Sequence, residues 1–463
     1  MWFRRDLRLT DNTALTQALS ESEKVSCIFV FDKTILELLP ANDRRITFIW
    51  ESLEDMNKRL AEHGSGPIHF FYGKSEELIP QIISTSKIDA LYVNHDYEPT
   101  AIDRDDTIKR RCEQNGVQFC SYKDQVLFEK SEIVKTDATP YKVFTAYKNV
   151  WLTELVKLPP IYFRPQAVQW KKIHSLPHQM GMIQNIGQIG FNGQATIIKG
   201  GETAAKIRWN SFYKNLIDEY LNNRDLPGID KTSKLSPYLR FGNISIRFVI
   251  NHLKANHSKG AQTFMSELIW REFFMMILYH FPHVVQSAFN SQYEAIHWQN
   301  RKDWFNAWCE GRTGFPIVDA GMRQLNKTGF MHNRVRMITA SFLVKHLHID
   351  WRWGEKYFAE KLLDFELSSN NGNWQWAAGT GVDAAPYFRI FNPLTQSKKF
   401  DPDGIYIKRW IPELKNCSSK EIHQPEKDRQ TLLFENYPQP IIDLNTERNV
   451  CLHLYNNRAG LKK

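Results

Sequence analysis

The stretch with the most unusual chemistry covers residues 364–376. It reads Asp-Phe-Glu-Leu-Ser-Ser-Asn-Asn-Gly-Asn-Trp-Gln-Trp, so two carboxylates precede a run of amides and two indoles. Such a sequence is not typical of a packed core, and we predict a ligand-lined loop here. A metal site would need more Asp, Glu or His ligands close together. A polar heterocycle held by amides and carboxylates beside aromatic rings fits the pattern better.

Two further segments carry charged and aromatic groups at helical spacing. Glu267, Trp270 and Arg271 fall at positions i, i+3 and i+4, so a carboxylate, an indole and a guanidinium share one helix face. Residues 331–337 (Met-His-Asn-Arg-Val-Arg-Met) add imidazole, amide and two guanidinium groups at a predicted helix start. Taken alone, both patterns are more typical of surface salt bridges, or of capping with a basic face, than of a binding site.

A hydroxyl-rich segment at 232–237 (Thr-Ser-Lys-Leu-Ser-Pro) precedes another predicted helix. Free backbone N–H groups and the helix dipole favour a phosphate at such a start. On this segment alone, a simple helix cap is the better interpretation.

Composition limits the class of protein. The chain has 463 residues, 42% hydrophobic and 24% charged, which predicts two or three globular domains rather than one small module or a disordered chain. No stretch reaches 18 apolar residues, so no membrane span is expected. Six scattered cysteines predict free thiols in a reducing cytoplasm. The net charge of +9 suits a polyanionic partner such as nucleic acid.

The elements that must position these residues divide the chain. Short apolar runs at 24–32, 67–72 and 88–94 alternate with helical spacing at 44–63 and 75–84, which predicts a doubly wound parallel α/β domain over 1–130. Residues 155–203 lack periodicity and predict a connection, so we assign 131–201 to an inter-domain linker. Residues 202–463 are predicted to form an all-α domain, with helical spacing at 202–222, 244–257, 262–279, 316–327, 333–347 and 353–363.

Five segments together resemble the signature segments of the photolyase/cryptochrome family: 2–8, 267–273, 331–337, 370–376 and 383–393. The resemblance runs from residue 1 to about 437 and implies an N-terminal α/β antenna domain followed by a helical domain that binds one FAD. It also implies a cytoplasmic, monomeric enzyme that repairs UV-damaged DNA with light.

The branch within the family depends on a few positions. Asn333 stands where (6-4) photolyases carry a catalytic His, and Met337 follows as in class I enzymes that split cyclobutane pyrimidine dimers. The alternative is a cryptochrome-like blue-light photoreceptor. Asn370 and the short tail favour the enzyme.

The resemblance assigns roles to individual residues. It implies that the flavin is bound by Tyr220, Thr232, Ser233, Lys234, Leu235, Ser236, Arg271, Asp364, Phe365, Glu366 and Asn370, with Asn370 at the flavin N5 position. It implies that damaged DNA is contacted by Arg224, Glu267, Trp270, Asn333, Arg334, Met337, Trp376 and Gln396. Glu267 and Asn333 would act on the lesion, and Trp298, Trp351 and Trp374 would carry electrons from the surface to the flavin.

The family's second, antenna chromophore is less well specified. Folate-binding members carry an amide and a Glu after a Tyr-Glu pair, whereas Tyr97-Glu98 is followed here by Pro-Thr-Ala. This departure disfavours a folate and leaves a deazaflavin, a flavin or an empty antenna site open.

Overall fold

The computed structural model describes residues 1–159, 162–163, 165–176, 181–424 and 436–456. Within these residues the chain divides into two compact units. The first contains residues 1–141, 145–218 and 233–280, and the second contains 142–144, 219–232 and 281–463.

The first unit begins with alternating strands and helices. Its elements are β1 (Trp2–Phe3), α1 (Thr13–Glu21), β2 (Cys27–Asp32), α2 (Lys33–Leu36), α3 (Arg44–Glu62), β3 (Ile68–Gly73), α4 (Ser75–Ser86), β4 (Ala90–Asn94), α5 (Pro99–Gln114) and β5 (Gln118–Tyr122). Strands β1, β2 and β3 pair in parallel in that order, and β4 pairs in parallel with β5. Helices connect the paired strands, as parallel pairing requires. The predicted α/β class of this region is confirmed.

Local signals explain several of these boundaries. The side chain of Asn12 caps α1 by accepting a hydrogen bond from the Leu15 N–H, and Asp43 caps α3 in the same way. The apolar faces of the helices then pack on the strands in a core that contains Trp2, Ile28 and Val93.

The helices that follow complete the first unit. They are α6 (Phe144–Lys157), α7 (Glu202–Asn215), α9 (Ser236–Arg240), α10 (Ile246–Lys254) and α11 (Lys259–His280). The predicted connection holds two short 3₁₀ helices, Ala167–Lys172 and Ile186–Ile189. Residues 160, 161, 164 and 177–180 of that connection lie outside the described residues.

The prediction of a single helix over 202–222 is wrong. Helix α7 ends at Asn215, because Ile217 leaves the helical path: its N–H bonds to the Phe212 carbonyl, and its side chain is 1% exposed. A separate short helix, α8 (Tyr220–Asn223), follows.

The second unit is helical in its described residues. Besides α8 it contains α12 (Lys302–Glu310), α13 (Pro316–Thr328), α14 (Asn333–Lys345), α15 (Trp351–Lys361), α16 (Leu367–Ala378), α17 (Pro393–Phe400), α18 (Ile405–Trp410), α19 (Ser419–Ile422) and α20 (Leu444–Asn456). Its core is a continuous apolar cluster in which Trp308, Phe342, Trp351 and Trp374 are buried. The predicted all-α class of this region is confirmed.

The loop predicted over 364–376 is wrong, because most of it is helix α16. Asn and Gly are poor helix formers, but tertiary hydrogen bonds hold two residues of this helix in place. The side-chain amides of Asn371 and Gln375 both donate to the Val284 carbonyl, at 2.9 and 3.1 Å. These bonds stabilise a helix that local propensity disfavours.

Candidate functional site

A cleft of about 600 Å³ lies in the second unit, between α14, the end of α15 and α16. It is lined by Asn333, Arg336, Met337, Ala340, Phe358, Leu362, Asp364, Phe365, Glu366, Ser369, Asn370, Asn373, Trp374, Trp376 and Ala377. Eight of the sequence-predicted site residues therefore meet in one place: Asn333, Met337, Asp364, Phe365, Glu366, Asn370, Trp374 and Trp376.

Asp364 is the charged group best placed to hold a ligand. One of its carboxylate oxygens, Oδ2, accepts a hydrogen bond from Arg336 Nη2 at 2.8 Å. The other, Oδ1, is buried and has no hydrogen-bond partner among the described residues. A buried polar atom without a partner is costly, so this oxygen fits a donor on a bound polar ligand.

Asn370 is held by α15. Its side-chain N–H group donates to the backbone carbonyl of Glu355 at 3.0 Å and to its Oε1 at 2.8 Å. Burial raises the pKa of Glu355, and the Asn370 hydrogen bond partly offsets this increase. These bonds fix the orientation of the Asn370 amide. They use its nitrogen, so its oxygen is held in place without bonding to Glu355.

Glu366 begins helix α16 as its N-cap residue and is 5% exposed. Its Oε2 accepts a hydrogen bond from the Ser369 hydroxyl at 3.0 Å. Glu366 at the N-cap and Asp364 two residues before it place two carboxylates at the start of α16, where the helix dipole favours negative charge.

The start of α14 supplies the second wall. Asn333 is its first residue and is exposed, and Met337 lies one turn further. His332 caps this helix: its Nδ1 accepts from the Arg334 N–H at 3.2 Å. Burial lowers the pKa of His332 to about 4, so the imidazole is neutral at pH 7 and can accept this bond.

Trp374 closes the buried end of the cleft and is 2% exposed. Gly354 on α15 packs directly against its ring, because a Cβ at residue 354 would overlap the indole. Trp351 is the first residue of α15 and is also buried. Trp298 is partly buried and contacts the Tyr455 ring, with centroids 6.0 Å apart.

Other predicted residues of this unit lie outside the cleft lining. The Arg224 guanidinium lies over the Tyr220 ring, 5.6 Å from its centroid. Arg334 forms a salt bridge with Asp225, in which Nη2 and Oδ1 are 2.8 Å apart. Gln396 is on α17, and Thr232 is in the segment before α9.

The remaining predicted residues belong to the first unit. Glu267, Trp270 and Arg271 lie on α11, so the predicted helical spacing is correct. Arg271 donates to the backbone carbonyls of Gln125 and Leu239, at 3.0 and 3.2 Å. Residues Ser233, Lys234, Leu235 and Ser236 lead into α9, which begins at Ser236 as the hydroxyl-rich segment predicted.

Sequence reasoning missed Arg336, Glu355 and Ser369 as site residues. Arg336 was inside a segment singled out for its charge, and its spacing of one turn from Asn333 is a signal that could have identified it. Glu355 precedes Asn370 by 15 residues and has no local signal, because only the packing of α15 on α16 brings them together.

The family profile named DNA photolyase matches residues 1–166, and the profile named FAD binding domain of DNA photolyase matches residues 263–457. The chain is 36% identical to a deoxyribodipyrimidine photo-lyase of Vibrio cholerae, covering 99% of both chains. The chain belongs to the DNA photolyase family. Its FAD-binding domain includes all of the cleft, and the unpartnered Asp364 Oδ1 fits this polar cofactor.

Solved structures of the photolyase family are similar over nearly the whole chain. An archaeal photolyase from Sulfolobus tokodaii, with two FAD molecules, is 37% identical with a TM-score of 0.85, covering 98% of this chain and 99% of that one. A cryptochrome from Synechocystis is 27% identical with a TM-score of 0.89, covering 98% of each.

The described ranges contain neither a membrane-spanning helix nor a metal-binding cluster. No helix there is both long and apolar enough to cross a membrane. No group of three or more His, Cys, Asp or Glu side chains in those ranges could hold a metal ion.

Proposed function

We propose that this chain is a deoxyribodipyrimidine photo-lyase that splits cyclobutane pyrimidine dimers in UV-damaged DNA. The observation that carries the proposal is the position of Asn333. It is exposed at the first turn of α14 and lines the same cleft as Asp364 and Asn370. An amide at this position can hydrogen-bond a pyrimidine but cannot serve as the acid that a histidine provides in (6-4) photolyases.

The cleft residues would hold the isoalloxazine ring. Asp364 offers a free carboxylate oxygen and Arg336 fixes its orientation, while Asn370 presents an amide oxygen held by Glu355. Tyr220, Arg271 and residues 232–236 would contact the rest of the FAD. When bound, reduced FAD supplies the light-driven chemistry: one electron passes to the dimer and returns after the ring opens, with no net redox change.

The protein's own task is to place the lesion. We assign Glu267 to a hydrogen bond with the carbonyl and N–H edge of the dimer. Trp270 and Trp376 would pack on the flipped-out bases, because stacking offsets the lost base pairing. Met337 would complete the apolar contact on the side of α14.

The duplex around the lesion would be held through phosphates. Arg224, Arg334 and Gln396 are the proposed contacts, and the exposed Lys398 and Lys399 lie beside Gln396 on α17. The net charge of +9 supports such a sequence-independent contribution.

The test is a light-dependent repair assay with two substrates of the same sequence, one with a single cyclobutane thymine dimer and one with a (6-4) photoproduct. We expect repair of the dimer alone. Glu267→Ala should lower repair per absorbed photon while the FAD content stays unchanged, and Glu267→Gln should lose less because it keeps a hydrogen-bonding group. Repair of neither lesion by the fully reduced protein would overturn the proposal and favour the photoreceptor alternative.

A further inference from the structure

The rings around Trp374 form a path that leads away from the cleft. In the described part of the chain, the rings in contact with Trp374 are Phe358 and Trp308, with centroids 5.0 and 6.2 Å away. Trp308 is fully buried and stacks on Phe305 at 6.0 Å, with the two planes 19° apart. Phe305 in turn meets Trp353 edge-on, at 5.1 Å.

Trp353 lies at the outer end of this path. It is partly exposed on α15, whereas Trp308 and Trp374 are buried in the core. No ring contact joins Trp374 directly to Trp351 within the described residues. Two chains of touching rings therefore lead from Trp374 through Trp308 to partly exposed rings: one passes Phe305 to Trp353, and the other ends at Tyr357, 5.7 Å from Trp308. The Lys361 ammonium lies over the Tyr357 ring at 5.5 Å and opposes a positive charge there, which favours the chain that ends at Trp353.

We propose that Trp308, Phe305 and Trp353 form a second electron path to Trp374, beside the one that runs through Trp351 and Trp298. We call these three residues the side path. The proposal rests on the proposed function, because it requires a flavin that is reduced by light from its oxidised form.

Charges near the rings favour Trp353 as the end of the path. The Arg352 guanidinium lies over the Trp351 ring at 4.8 Å, and that of Arg301 lies over Trp304 at 4.1 Å. A cation on the face of a ring opposes the positive charge that the ring acquires when it loses an electron. Both arginines are paired with carboxylates, which reduces this effect. Among the described residues no cation lies over Trp353.

The electrons and protons balance along the side path. One electron leaves Trp374 for the photoexcited oxidised cofactor, one passes from Trp308 to Trp374, and one passes from Trp353 to Trp308. Phe305 lies between the last two and is not itself oxidised, because a phenyl ring is much harder to oxidise than an indole. The Trp353 radical cation loses its indole proton to water, and a thiol reductant then returns a hydrogen atom. Two thiyl radicals combine to a disulfide.

The first test measures photoreduction of the full FAD-loaded chain under blue light with a thiol present. Trp351→Phe should slow photoreduction but leave a rate above that of Trp374→Phe. The double variant Trp351→Phe/Trp353→Phe should lose this remaining rate. Trp304→Phe, placed in the Trp351→Phe background, is the matched control and should leave it unchanged. The side path is refuted if Trp351→Phe alone is as inactive as Trp374→Phe.

The second test uses the parent chain and depends on no variant. A nitroso spin trap added during illumination should label the surface radical, and trypsin releases Trp353 in the peptide 353–356, because Arg352 precedes it and Lys356 ends it. Trp298 is released in a different peptide, which ends at Arg301. Label on 353–356 supports the side path, and label on the Trp298 peptide alone overturns it.

These outcomes are separable from failure of the proposed function. Chemically reduced protein needs neither path, so its repair of dimers tests the enzyme alone. Normal photoreduction by Trp374→Phe would refute both paths together, while loss of repair by chemically reduced protein would refute the enzyme and leave the labelling result valid.

Discussion

Replacing Asp364 with Asn tests whether the cleft binds the cofactor through the buried carboxylate. The side chain of Asp364 is 1% exposed and its Oδ2 receives the Arg336 guanidinium at 2.8 Å. In the variant, the amide oxygen is expected to remain on Arg336. The NH₂ group would then occupy the position of Oδ1, where it presents a donor to the donor expected on the cofactor.

The magnitude follows from these contacts. A hydrogen bond to a charged group contributes about 1.5–3 kcal/mol, which corresponds to FAD binding weakened about 10- to 150-fold. Stability of the cofactor-free protein should fall less, by about 1–2 kcal/mol, because Asn keeps one bond and Arg336 is 24% exposed and can be hydrated.

The assay is a titration of cofactor-free protein with FAD, followed by quenching of flavin fluorescence, together with thermal unfolding of both cofactor-free proteins. Ser369→Ala is the matched control, since Ser369 lines the same cleft but its hydroxyl donates to Glu366. Equal FAD affinity of Asp364→Asn and the parent would refute the reasoning and leave Asp364 only a structural partner of Arg336.

Three other changes have expected outcomes. Arg334→Ala should weaken binding to damaged and undamaged DNA alike and reduce the salt slope by about 1. Asp225→Asn, which removes the salt-bridge partner of Arg334, should strengthen binding to both kinds of DNA. Filter binding at several salt concentrations measures these effects, and opposite results would remove Arg334 from the interface. Burial lowers the pKa of His332 to about 4, so the folded protein resists protonation of this imidazole. The free energy of unfolding should therefore fall by about 3 kcal/mol as the pH drops from 6.5 to 4. Denaturant unfolding of His332→Asn should not show this loss. Gly354→Ala should lower the thermal midpoint, because overlap with the Trp374 ring costs about 1–3 kcal/mol and outweighs the gain in helix propensity; a raised midpoint would contradict this packing.

Runs of apolar residues predicted those elements that are buried on more than one side. Helix α11 was expected over 262–279 and is observed over Lys259–His280, and the strand expected at 88–94 is observed at Ala90–Asn94. Residues 272–278 of α11 and 91–94 of β4 are all buried, so a dense apolar run in the local sequence contains the needed information.

Helix α16 shows where local information ends. Its sequence is rich in Asn and Gly, and propensity alone predicts a loop. The helix depends on bonds to the Val284 carbonyl from Asn371 and Gln375, and that carbonyl is 87 and 91 residues distant in sequence. Such contacts are set by tertiary packing, so the composition indicated the ligand-binding role of this stretch but not its conformation.

The unpartnered oxygen of Asp364 connects the fold to the cofactor. A buried acceptor without a donor costs about 1–3 kcal/mol in the cofactor-free protein, and this cost is recovered when a ligand supplies the donor. FAD at 100 times its dissociation constant should stabilise the folded parent by about 2.7 kcal/mol. At the same FAD concentration, the roughly 10- to 150-fold weaker binding of Asp364→Asn should remove about half to nine-tenths of this stabilisation. A cofactor-induced rise in thermal midpoint that is equal in the two proteins would mean that the Asp364 oxygen is not the contact through which FAD stabilises this helical unit.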